Sequence, residues 1–95
     1  MASKNRVSKS SSEFPEDPDA RYLAEFISIL KEERAKLNLG EREVTRMAEI
    51  SNGAVGRAEK MERIPSVIVF RKWVRALGLD WVEVCQKADE ASKRG

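Results

Sequence analysis

The sequence predicts an all-α, compact five-helix domain preceded by a disordered N-terminal tail. Three observations carry that prediction. Apolar residues recur at intervals of three and four, the spacing of one helix face, and nowhere alternate convincingly as in a strand. Helix-start signals stand at Asp17-Pro18, Ser66 and Asp80-Trp81-Val82-Glu83. The chain has 95 residues, 41% hydrophobic and 36% charged, which suits one small charge-rich domain and is too short for two.

Residues 1–16 are rich in Ser and Lys, then acidic, with no apolar periodicity. They predict a disordered tail. Lys4, Arg6 and Lys9 leave a second reading open, a basic arm lying along DNA phosphates. The folded domain is expected over residues 17–92.

The first helix is expected to open with Asp17 as cap and Pro18 at its first position. Its apolar stripe is Leu23, Ile27, Leu30 and Leu37, interrupted by Arg34, and Asn38-Leu39-Gly40 closes it. A short second helix fits Glu41 to about Glu49, with Val44, Met47 and Ala48 on one face. Ser51 is expected to cap a third helix from Asn52 to about Met61, with Val55 and Ala58 inward. Ile64-Pro65 ends that segment, because proline excludes α geometry from the residue before it. Ser66 caps a fourth helix through about Leu77, with Phe70, Val74 and Leu77 as its core stripe and Gly78 at its end. The fifth starts at the Asp80 capping box, turns Trp81, Cys85 and Ala88 inward, and frays from Ala91.

Composition excludes several chemistries. Cys85 is the single cysteine, so no internal disulfide forms, and a reducing, cytoplasmic setting is expected. With no His, no metal site or cofactor is expected. No apolar run approaches membrane-spanning length and no signal-peptide core is visible. No nucleophile and base pair suggests itself, so the chain reads as no enzyme, without a small-molecule substrate.

Charge is distributed unevenly. The formal net charge is only +2. Between Arg42 and Arg75, however, eight cations face four carboxylates. Within that basic stretch two short helices meet at Glu49-Ile50-Ser51, between longer helices. This is a helix-turn-helix arrangement, whose second helix offers its N-terminal residues to the DNA major groove.

The run from Leu30 to Ser51 resembles the Cro and phage-repressor (XRE-like) DNA-binding domains, and the likeness extends over roughly residues 22–80. Val44, Ala48, Ile50, Val55 and Ala58 fill the apolar positions of the bihelical unit. Glu59, Pro65-Ser66 and Ala76-Leu77-Gly78-Leu79 also fall where that family has them. The resemblance implies a lambda-repressor-like fold and a transcriptional regulator bound, as a homodimer, to double-stranded DNA with a palindromic operator. Three positions depart from the pattern. Thr45 replaces a small residue, Glu49 replaces a turn Gly, and Gly40 replaces a capping Ser or Thr. Glu49 is expected to hold its turn without positive φ.

Arg34 and Glu59 both fall on or beside inward stripes, where a lone charge is costly. The resemblance implies that they pair and orient the third helix. Gly53 and Gly56 sit inside the expected third helix, each at a cost of roughly 1 kcal/mol relative to Ala. Asn52, Gly53, Gly56, Arg57 and Lys60 are expected to face outward, with Ser51 at the helix start. Base reading then rests on Asn52 and Arg57, the glycines allow a close backbone approach, and DNA shape supplies the rest. Arg42, Lys60 and Arg63 are expected on phosphates, with Arg46 or Arg71 in addition.

Apolar residues exceed what one core face needs. A patch around Val69, Trp73 and Val82 is therefore a candidate dimer or partner surface. A second functional reading uses it: a protein-interaction module, either an antitoxin-like toxin-binding protein or an adaptor on the same scaffold.

Overall fold

A computed structural model describes residues 17–94. The expected tail at 1–16, with Lys4, Arg6 and Lys9, lies outside the described residues. Five helices follow in order: α1 Pro18–Lys36, α2 Glu41–Ala48, α3 Ala54–Glu59, α4 Val67–Ala76 and α5 Trp81–Arg94. Among the described residues there is no strand.

The starts of α1, α4 and α5 follow their caps. The Asp17 carboxylate accepts the Asp19 N–H at 2.8 Å. Ser66 Oγ accepts the Val69 N–H at 3.2 Å, and Asp80 accepts the Glu83 N–H at 3.0 Å. At α2 Gly40 has no side chain to offer. Instead Glu43 reaches back and accepts the Gly40 N–H at 2.7 Å, one half of a capping box.

Helix ends share a single device. At Asn38, Glu49, Met61 and Gly78 the backbone turns left-handed, with φ of 61, 58, 59 and 75°. In each case that residue's N–H bonds back three residues and the next N–H bonds back five, as at Ile50 to Thr45 and Glu62 to Arg57. These are four Schellman endings, a motif that favours glycine, and only the last has one. Glu49 therefore does adopt positive φ, contrary to expectation. The two hydrogen bonds that close α2 leave its C′ residue no other conformation.

The helices close around Leu30, Val44, Val55, Ala58, Trp73, Val74 and Ala88, all of them buried. α1 and α5 run antiparallel, Phe26 meeting Trp81 and Tyr22 meeting Cys85. Phe26 is the aromatic hub, edge-on to Phe70 and to Trp81 at ring-centroid distances of 5.2 and 5.4 Å. It lies beside the stripe read from the sequence, because a core-facing helix buries an arc wider than a single row.

Several side chains depart from their expected faces. Met47 is 50% exposed, and Thr45 is buried in its place, its hydroxyl donating to the Glu41 carbonyl at 2.8 Å. That bond satisfies the buried hydroxyl's donor, so burial leaves no unpaired O–H. Leu37 is exposed beyond the last turn of α1. Trp73 has no exposed surface at all, so it cannot belong to a partner patch. It stacks near-parallel on Phe70 at 6.0 Å. Val69 is half-buried and only Val82 of that trio is exposed. Instead of fraying at Ala91, α5 continues to Arg94, with Ser92 Oγ bonded to the Asp89 carbonyl and Lys93 paired to Asp89.

Candidate nucleic-acid interface

α2 and α3 are the two short helices of the bihelical unit, joined through the left-handed Glu49. α3 is shorter than its sequence suggests. Ser51 does not cap it with its side chain; the Ser51 carbonyl accepts the Ala54 N–H in a turn. Gly53, at φ 81°, flanks the helix start. It therefore escapes the penalty of a helix-interior glycine and occupies a backbone region that glycine enters freely.

Gly56 has a different reason. It is buried, not outward-facing. The Glu41 carboxylate lies over it, and a Cβ there would stand 2.6 Å from Glu41 Oε1. Its place is at the contact between α2 and α3, away from the outer face.

Arg34 holds this unit to α1. Its Nε and Nη2 donate to the two Glu59 carboxylate oxygens at 2.8 and 2.9 Å, and its Nη1 donates to the Leu39 carbonyl at 2.9 Å. The Glu59 side chain is 5% exposed. The hydrogen bonds to Glu59 raise the Arg34 pKa above its usual value. One guanidinium thus fixes the end of α1, the approach to α2 and the last turn of α3.

An open groove of about 670 Å³ lies between the start of α2 and the turn before α3, lined by Glu41, Arg42, Thr45, Arg46, Asn52 and Gly53. Arg42, Asn52 and Gly53 are thereby brought together, with exposed Ser51 beside them in the turn. Arg57 is exposed at the rim. Its guanidinium lies over Gly53, and its Nη2 donates a long 3.4 Å bond to the Asn52 carbonyl. Lys60 and Arg63 are exposed past the end of α3, outside the groove lining. Arg46 belongs to the groove more firmly than its sequence position indicated. The four-residue interval from Arg42 was the available signal, since it puts both on one face of α2. Glu41 was not singled out, because only the packing of α2 on α3 brings it there.

Among the described residues no cluster of potential metal ligands occurs, and no helix is long and apolar enough to cross a membrane.

Five helices with a bihelical unit at their centre and a basic groove at its mouth define a helix-turn-helix DNA-binding domain. A helix-turn-helix family model matches residues 30–84, more than half the chain. The protein belongs to this Cro/C1-type (XRE) family of DNA-binding transcription regulators. Neither a curated protein nor a solved structure matches the chain.

Proposed function

We propose that the protein regulates transcription as a dimer on a palindromic operator, with α3 in the major groove of each half-site. Half-sites would lie about one helical turn apart, as is general for dimeric helix-turn-helix proteins. One observation carries the reading: Arg42, Arg46, Asn52 and Gly53 line one open groove, with Arg57 at its rim. Asn52 suits adenine and Arg57 suits guanine. When the Arg57 guanidinium turns from Gly53 to a base, Gly53 lets the backbone come near the bases. Arg42, Arg46, Lys60 and Arg63 suit phosphates, which position the domain without reading sequence. With so few readers, DNA shape supplies part of the selectivity.

The test is an NMR titration with a mixed-sequence duplex at low and high salt. Amide shifts centred on residues 51–60 that weaken with salt are the expected result. Shifts absent even at low salt would overturn the reading.

A second reading, a protein-interaction module such as an antitoxin-like protein or an adaptor, draws support from exposed Ile64, Val67, Ile68 and Val82. Co-purification of a single stoichiometric partner, bound through these residues, would favour it.

A further inference from the structure

We infer that Glu41 sets the sequence selectivity of the groove, acting as a filter against phosphate and acceptor-edged bases. The inference rests on the DNA-binding reading above. Glu41 is the first residue of α2 and is exposed. Its carboxylate lies across Gly56 of α3, where a Cβ would stand 2.6 Å from Oε1 and 3.4 Å from the carboxyl carbon. The missing side chain at Gly56 lets this carboxylate lie close against α3.

Of the six residues lining the groove, Glu41 alone is anionic. It forms no ion pair with another described residue. The neighbouring guanidinium of Arg34 is engaged by Glu59 and Leu39. An unpaired carboxylate therefore lines the same groove as Arg42 and Arg46, which draw DNA in, and as Asn52 and Gly53 of the turn that meets it.

A carboxylate accepts hydrogen bonds and donates none. It repels a phosphate and the O6/N7 edge of guanine. It accepts from the exocyclic amine of cytosine. Glu41 thus weakens binding to arbitrary duplex and restores affinity where a cytosine N4 lies opposite. The sparse readers of α3 gain a discriminating partner on α2, through rejection of wrong sequences as well as attraction to the right one.

The experiment compares the full chain with Glu41→Gln, which keeps the size of the side chain over Gly56. Glu32→Gln, an exposed α1 residue, controls for net charge. Affinity is measured on a mixed-sequence duplex at fixed salt, and preferred sites are selected from a random pool. Glu41→Gln should bind mixed sequence about threefold tighter or more, while Glu32→Gln changes little. Its selected sites should lose one cytosine preference. If both variants match the wild type in affinity and selected sequence, the filter is overturned and the DNA-binding reading stands. If neither the wild type nor Glu41→Gln binds any duplex at low salt, both fall. A Glu41→Gln protein that binds where the wild type does not would support the filter. Thermal melts check that each variant is folded.

Discussion

Arg34 and Glu59 are joined by two parallel hydrogen bonds of 2.8 and 2.9 Å that tie the last turn of α1 to the last turn of α3. Twenty-five residues separate them in the chain. The carboxylate is almost wholly buried and the guanidinium is 17% exposed. Without Glu59, Arg34 would keep only the Leu39 carbonyl and the nearby Glu41 charge, and no direct ion pair. Removing one partner of such a pair leaves the other desolvated and uncompensated. Glu59→Ala should therefore cost about 3 kcal/mol or more, read as a lower midpoint in urea. An unchanged midpoint would show that the pair contributes nothing net.

Gly53 and Gly56 should respond oppositely to Ala. At Gly53 φ is 81°, and a Cβ would also meet Arg57 Nη1 at 2.9 Å. Gly53→Ala should cost about 1 kcal/mol or more. At Gly56 the obstacle is the free end of the Glu41 side chain, which can swing aside. There the gain in helix propensity, about 0.5–1 kcal/mol, should prevail. Thermal melts of the two single variants decide the matter; equal shifts would contradict the distinction.

Glu49 and Met61 hold left-handed turns without being glycine. Glu49→Gly should stabilise the fold by about 0.5–1 kcal/mol, and Met61→Gly should do the same less the apolar contact it loses. The Glu49 side chain is exposed, so little packing is sacrificed. A lower Tm for Glu49→Gly would count against the strain argument.

Tyr22 is the single tyrosine of the chain, so its ionisation is readable by ultraviolet absorbance without interference from another tyrosine. Its pKa is raised from 10.0 to about 12, first by burial and then by a hydrogen bond to Cys85. The folded state therefore prefers the neutral phenol. That contribution is complete below pH 10 and is lost as pH rises from 10 to about 12. The native titration should fall near 12 and move to about 10 in urea, and Tyr22→Phe should flatten stability across that window.

Arg57 should be the principal reader on α3. Arg57→Ala should cost about 1–3 kcal/mol on a selected operator and relax preference at one base position. Because Arg57 also rests on Gly53 and the Asn52 carbonyl, a melt must accompany the binding curve. Unchanged affinity on the selected site would remove Arg57 from the readers.

Much of the architecture was legible in the order of residues. The caps at Asp17, Ser66 and Asp80, and the stripes through Leu30, Val44, Val55 and Val74, are local features. A carboxylate or hydroxyl bonds N–H groups two or three residues away, and helical periodicity repeats within one turn. The outward position of Arg42 and Arg57 was legible as well, and both are exposed in the packed domain.

Other features depended on which helix lies against which. Trp73 looked spare on its own helix, yet α4 turns it wholly inward onto Phe70. Gly56 looked outward-facing until Glu41 of α2 lay across it. Glu49 and Gly53 took left-handed backbone because the path of the chain between α2 and α3 demanded it, not because their residue types announced it.

By itself, then, the sequence determined the helical class, most helix starts and the basic character of the bihelical unit, all of them properties of short-range hydrogen bonding and periodicity. Which face of each helix is covered, what each of the two glycines meets, and where the Glu41 carboxylate stands were decided by tertiary packing. Burial and close approach are relations between segments far apart in the chain, and a linear pattern does not contain the distance between them.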